Sequence, residues 1–138
     1  MVFTKTTSQR SEYLTPQLDI LFQLQQLLDQ FAELKVLAFP CNQFGKQEPG
    51  SDQEIIDFIT KKGFTGDLFQ KIDVNGANEH EVFTWLKAQK NGGGFLTNGI
   101  KWNFTKFLLD KEGKVVDRLG SVSGSSSLAD QIKKIIQS

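Results

Sequence analysis

The sequence predicts an α/β domain in which helices flank a mixed β-sheet. Short apolar segments alternate with amphipathic ones along most of the 138 residues, as in strands that are connected by helices. Two apolar segments near the C-terminus are separated by a four-residue turn, which indicates a hairpin and therefore an antiparallel part of the sheet. This length suits one domain, so we predict a single domain over residues 1–138.

The composition argues against several classes of function. Lysine plus arginine and aspartate plus glutamate number 16 each, so no net charge draws the chain to nucleic acid or an anionic membrane. A single cysteine cannot form an intrachain disulfide, which favours a reducing compartment. No apolar run approaches the roughly 20 residues that span a bilayer. We expect a cytoplasmic protein, with an organelle as the alternative because residues 1–10 are basic and rich in serine and threonine.

The N-terminal part of the chain predicts a strand and then a helix. Residues 1–13 form an atypical segment with a short strand at Val2 to Thr6. Thr15-Pro16 starts the first helix, with the hydroxyl as N-cap and the proline at the first helical position. Apolar residues then recur at spacings of three and four, which predicts one buried face. They are Leu18, Leu21, Leu24, Leu28 and Phe31.

A second strand and a second helix follow. Leu34 to Phe39 is almost entirely apolar and stops at Pro40, which suits a strand that is buried on both faces. Ser51 and Glu54 have the spacing of a capping box at the start of a helix. Gly63 ends that helix.

The second half of the chain predicts three further strands and two helices. Leu68 to Val74 is a strand or extended segment, and Asn78 caps the helix after it. Phe104 to Leu109 and Lys114 to Arg118 form a hairpin around the turn Asp110 to Gly113. The last helix begins after a Ser/Gly linker, with Ser127 as its cap, and carries Leu128, Ile132, Ile135 and Ile136.

Four segments resemble the glutathione peroxidases. The most specific is Phe39-Pro40-Cys41-Asn42-Gln43-Phe44-Gly45-Lys46-Gln47-Glu48-Pro49-Gly50. The other three follow in the family's order and spacing: Lys71 to Gly76, Ile100 to Leu108, and Asp110 to Val116. The resemblance spans residues 14–138. It implies a thioredoxin-like fold and a peroxidase, an oxidoreductase that uses thiols to reduce hydroperoxides in oxidative-stress defence.

The resemblance also implies three catalytic residues, Gln47, Trp102 and Asn103. In the family, such residues donate hydrogen bonds to the cysteine or selenocysteine that attacks the peroxide. Amide and indole N–H groups favour a thiolate because they donate without adding a competing base. The implied partners are a hydrogen, organic or lipid hydroperoxide and a thiol co-substrate, glutathione or thioredoxin, with no cofactor and no metal.

The family's peroxidatic cysteine or selenocysteine has no counterpart here. Counting back from Thr15 without gaps places Glu12 at its position, and two inserted residues place Arg10 there. Neither side chain reduces a peroxide, so we expect impaired catalysis. The family's N-terminal hairpin and strong first strand are also expected to be missing or degenerate, with Val2 to Thr7 as a weak substitute.

Three interpretations remain open. The chain is a family member whose given N-terminal sequence is incomplete or altered, or a non-catalytic relative that serves as a binding or redox-sensing module. Alternatively, it is a slow thiol peroxidase that uses Cys41, although a lone cysteine after a buried strand is usually a small apolar residue.

Two smaller predictions concern assembly and metal binding. The short glycine-rich connection from Asn91 to Asn98 resembles the monomeric, phospholipid-hydroperoxide type of the family, so we expect a monomer. His80 is the only histidine, and we expect it on the solvated surface. Without a second histidine or cysteine, a zinc site is not expected.

Overall fold

A computed structural model describes residues 1–5, 15–94, 96–121 and 125–138. The described elements follow the order predicted from the sequence. The strands are β1 (Val2–Lys5), β2 (Leu37–Pro40), β3 (Asp67–Leu68), β4 (Lys106–Leu109) and β5 (Val115–Leu119). The helices are α1 (Thr15–Gln30), α2 (Asp52–Lys61), α3 (Glu81–Ala88) and α4 (Ser125–Gln137).

The five strands form one mixed sheet in the order β3-β2-β1-β4-β5. β2 is parallel to both β1 and β3, whereas β4 is antiparallel to β1 and β5. The predicted hairpin and the mixed α/β sheet are therefore confirmed. The short strand predicted at Val2 to Thr6 is present as the four residues Val2–Lys5, which form the central strand and pair on both sides.

Successive residues of the strands point to opposite faces of the sheet, and each face has its own core. Ala38 and Leu108 lie in a cluster with buried residues of α1, α2 and α4. Their neighbours Phe39 and Phe107 lie in a second cluster with Phe83 of α3. The sheet is thus flanked by helices on both faces, and the second cluster also contains Cys41 and Phe44 from the loop after β2.

The bounds of one strand and the cap of one helix differ from the prediction. Of the strand or extended segment predicted at Leu68 to Val74, only Leu68 belongs to β3. The N–H of Lys71 donates to Asp52 Oδ1, whereas those of Phe69 and Ile72 still donate to carbonyls of β2. The cap of α3 is His80 and not Asn78: His80 Nδ1 accepts from the N–H of Val82 at 3.2 Å. His80 is accordingly half-buried and not a solvated surface residue.

Details of helices α1 and α4 also differ from the prediction. The buried residues of α1 include Leu21 and Leu24 as predicted, but Leu27 lies deeper than the predicted Leu28. The side chain of Leu18 and the segment from Ser8 to Tyr13 lie outside the described residues. α4 begins at Ser125, so the predicted cap Ser127 lies in its first turn.

The capping box at α2 is confirmed. Ser51 Oγ accepts from the N–H of Glu54 at 3.3 Å, and Glu54 Oε2 accepts from the N–H of Ser51 at 2.7 Å. The Ser51 bonds lower the pKa of Glu54, which shows that they favour its charged form.

We expect Ser51→Ala to lower the free energy of unfolding by about 1 kcal/mol, because it removes a cap from the first turn of α2. Urea denaturation measures the change. Thr60→Ala is the matched control, since Thr60 is an exposed residue of the same helix. Equal losses in the two variants would contradict a capping role.

Candidate active site

The first part of the candidate site is the loop after β2, which carries Gln47. Gly45 and Lys46 have φ angles of 64° and 50°, in the left-handed region, and turn the chain back after Phe44. A side chain on Gly45 would be in ordinary contact with Gln47 Cγ at 3.4 Å, so it is the left-handed backbone and not lack of space that favours glycine here. The loop is closed by Asn42, whose Oδ1 accepts from the N–H of Glu48 at 2.9 Å.

The second part is the turn before β4, which carries Trp102 and Asn103. Thr105 Oγ1 donates to the carbonyl of Trp102 at 3.0 Å, and Phe104 has a φ of 58°. This turn presents the two predicted residues differently. Asn103 is 1% exposed, whereas Trp102 is 49% exposed.

The two parts meet at the predicted residues. Asn103 Nδ2 donates to Gln47 Oε1 at 3.3 Å. The Phe44 and Trp102 rings pack with centroids 6.0 Å apart and a tilt of 53°. Asn103 thus contacts Gln47 directly, and Trp102, its neighbour in the chain, packs against Phe44 of the same loop as Gln47. The catalytic roles of the three residues stay predictions. Amide and indole groups are neutral hydrogen-bond donors, a chemistry that suits the stabilisation of a sulfur anion or a peroxide oxygen.

Two further amide side chains, which the sequence analysis did not single out, connect the loops of the site. Gln43 Oε1 accepts from the N–H groups of Val74 and Asn75 at 2.8 and 3.1 Å. Asn75 in turn binds both backbone groups of Ile100, at 2.7 and 2.8 Å. Both residues lie in segments that resemble the family, and this position is the only indication that the sequence gives. Their neighbours in the sequence do not indicate that the Gln43 side chain accepts backbone hydrogen bonds that another strand would otherwise accept. Together they fix the Gln47 loop relative to the Trp102 turn.

Cys41 is fully buried and belongs to the same apolar cluster as Phe44. Burial raises the pKa of the Cys41 thiol, although backbone N–H groups of Gln43 and Val74 oppose the shift. Its sulfur lies 3.6 Å from Gln43 Oε1, an acceptor that suits a thiol and not a thiolate. The environment therefore disfavours the anion that attacks peroxides.

The candidate nucleophile positions, Arg10 and Glu12, lie outside the described residues. Within the described residues, no group of three or more histidine, cysteine, aspartate or glutamate side chains could hold a metal ion. None of the described helices is both long enough and apolar enough to cross a membrane.

A mixed sheet with β1 at its centre, flanking helices and a C-terminal hairpin with its closing helix place the chain in the thioredoxin-like class. Solved structures show the same fold. The crystal structure of Trgpx in its apo form has a TM-score of 0.72 and 29% identity, covering 99% of this chain and 80% of its own. T. cruzi GPX1 has a TM-score of 0.71 and 26% identity, with the same coverage.

Sequence comparison gives the family. The glutathione peroxidase family model matches residues 7–87, so the chain belongs to the glutathione peroxidase family. A probable phospholipid hydroperoxide glutathione peroxidase of Mesembryanthemum crystallinum is 47% identical over 117 residues, which are 83% of this chain and 68% of that protein. The phospholipid hydroperoxide glutathione peroxidase of Sus scrofa is 55% identical over 100 residues, 71% of this chain. The match spans only 51% of the length of that relative.

Proposed function

We propose that this chain retains the donor site of a peroxidase for the thiol-dependent reduction of hydrogen peroxide and organic or lipid hydroperoxides, and that its catalysis is impaired. The observation that carries the proposal is the contact between Asn103 Nδ2 and Gln47 Oε1 beside the half-exposed Trp102. Family membership supports the reaction class. The impairment follows from Arg10 and Glu12, neither of which supplies the attacking sulfur.

The reaction itself defines what the donor site has to do. A thiolate attacks the terminal oxygen of the hydroperoxide, the O–O bond breaks, and an alkoxide leaves and takes a proton. The resulting sulfenic acid condenses with one thiol, releasing water, and a second thiol then regenerates the first sulfur and departs as a disulfide. Donors beside the sulfur favour the thiolate, and donors beside the peroxide stabilise the leaving oxygen.

The substrate and partner assignments rest on the relatives and on the shape of the site. The relatives act on phospholipid hydroperoxides by name, and the half-exposed indole of Trp102 offers an apolar contact for an acyl chain. We propose glutathione or thioredoxin as the reductant, and a monomer in the cytoplasm.

The test introduces a cysteine at each of the two candidate nucleophile positions, Arg10 and Glu12. We expect the chain itself to consume hydrogen peroxide, cumene hydroperoxide and phosphatidylcholine hydroperoxide no faster than its Cys41→Ser variant does, with either reductant. Arg10→Cys or Glu12→Cys is expected to raise kcat/KM by at least about 10²-fold, because the variant supplies the missing attacking sulfur beside donors that each contribute on that scale. Both variants are made in a Cys41→Ser background so that the added thiol is the only one.

Controls separate the interpretations. In the active cysteine variant, Gln47→Leu should remove most of the gain, whereas Gln53→Leu, at an exposed position on α2, should not. Folded but inactive cysteine variants would overturn the proposal and favour a binding or redox-sensing module. Activity of the unmodified chain that Cys41→Ser abolishes would instead identify Cys41 as the nucleophile.

A further inference from the structure

Lys106, at the start of β4, is a buried cation. The residue is 2% exposed, and its Nζ donates to the carbonyls of Phe104 at 2.9 Å, Gly120 at 3.4 Å and Ser121 at 3.3 Å. An ammonium has three N–H donors, so each has an acceptor. No carboxylate among the described residues pairs with it, and burial lowers the pKa of Lys106 to about 8.

The carbonyls that Lys106 binds come from two segments of the chain: the turn that carries Trp102 and Asn103, and the residues that follow β5. Phe104 directly follows Asn103, and its φ of 58° is rare for a bulky side chain. Gly120 and Ser121 follow β5, and the Ser121 hydroxyl donates to the carbonyl of Asn103 at 2.5 Å. The turn with Trp102 and Asn103 is therefore tied to the end of β5 by two side chains.

Stability alone does not account for this arrangement. Burying an ammonium without a counter-charge is costly, and apolar residues of similar volume often replace buried charges without loss of stability. An apolar side chain at Lys106 would fill the space but would donate nothing to the three carbonyls. A left-handed Phe104 persists only where neighbouring contacts enforce it.

We propose that Lys106, together with Ser121, is a positioning residue pair that holds the turn from Trp102 to Phe104 so that the Asn103 amide meets Gln47. Lys106 acts through the backbone of Phe104 and not by contact with the amide pair. The relevance to hydroperoxide reduction rests on the proposed function, but the geometry can be measured without any activity.

The structural test compares Lys106→Met with Lys114→Met, a control at an exposed position of the same hairpin. Nitrogen-15 NMR measures the chemical shifts of the Asn103 side-chain amide. Acrylamide quenching of fluorescence measures the solvent exposure of Trp102 in a Trp85→Phe background, which leaves Trp102 as the only tryptophan. We expect Lys106→Met to shift the Asn103 amide signals and to raise the quenching constant of Trp102. Lys114→Met should leave both unchanged.

A folded Lys106→Met protein whose Asn103 and Trp102 signals match those of the control would overturn the proposal. If Lys106→Met does not fold, the Ser121→Ala variant tests the proposal instead, because it removes only the hydrogen bond from the Ser121 hydroxyl to the carbonyl of Asn103. Shifted Asn103 signals in Ser121→Ala support the positioning role, and unchanged signals refute it.

Kinetic measurements distinguish a failure of this proposal from a failure of the proposed function. In an active cysteine variant, Lys106→Met is expected to lower kcat about 10²-fold, because a misplacement of about 1 Å has that effect, with little change in KM for the thiol. Inactivity of both cysteine variants would count against the proposed function, while the NMR and quenching outcomes would still decide the role of Lys106.

Discussion

Replacing Phe83 by alanine is expected to lower the free energy of unfolding by about 3 to 5 kcal/mol, the usual range for removing a buried aromatic ring. Phe83 is 0% exposed and lies between two other rings. It packs edge-on against Phe39 with centroids 5.7 Å apart and against Phe107 at 6.1 Å. No nearby side chain can fill such a cavity without leaving its own well-packed position.

Chemical denaturation at low temperature measures this loss, because a domain has only about 5 to 15 kcal/mol of stability in total. Phe22→Ala is the matched control, since Phe22 is 64% exposed and its removal should change stability by less than about 0.5 kcal/mol. Phe83→Leu keeps much of the volume and should cost about 1 kcal/mol, which remains measurable if the alanine variant does not fold. A loss in Phe83→Ala no larger than in Phe22→Ala would show that the ring is not a core element.

The fold could be predicted where local chemistry decides it. Ser51 and Glu54 satisfy each other's backbone groups within one helical turn, so their spacing alone identifies the start of α2. The β4–β5 hairpin depends on the turn after Asp110, whose Oδ1 accepts from the N–H groups of Glu112 and Lys114. Such contacts join neighbours in the sequence and therefore leave a pattern in it.

The site could be predicted only by resemblance, because its contacts join distant parts of the chain. Gln47 and Asn103 lie 56 positions apart, and no periodicity relates them. The same reason explains the difference at β3, where the N–H of Lys71 donates to Asp52, 19 positions away. The cap of α3 is a local contact between His80 and Val82, but histidine is not among the residue types that usually cap a helix. Lys106 was not identified for a related reason, since its acceptors come from two separate segments.

The stability of the protein should rise with pH through the titration of Lys106. Its pKa is lowered from 10.5 to about 8 by burial, so between these values the unfolded state binds a proton that the folded state lacks. Raising the pH in this window therefore favours the folded state. The free energy of unfolding of the wild type should gain up to about 3 kcal/mol relative to Lys106→Met.

Urea denaturation of the two proteins at matched pH values isolates this contribution, because all other groups titrate in both and cancel in the difference. Lys114→Met should keep the wild-type slope, since Lys114 is exposed. A direct NMR titration of Lys106 gives the same answer from the wild type alone if Lys106→Met does not fold. Parallel slopes for wild type and Lys106→Met, or a Lys106 pKa near 10.5, would contradict the prediction.

The sign of this pH dependence bears on why the lysine is present. Below a pH of about 8 the folded state holds a desolvated ammonium, so Lys106 costs most where most proteins work. A residue selected for stability alone would be apolar at this position. The compensation lies in the carbonyls of Phe104, Gly120 and Ser121, which the ammonium binds beside Asn103. If Lys106→Met flattens the pH slope and also shifts the Asn103 amide, one side chain links a cost in stability to the geometry of the site.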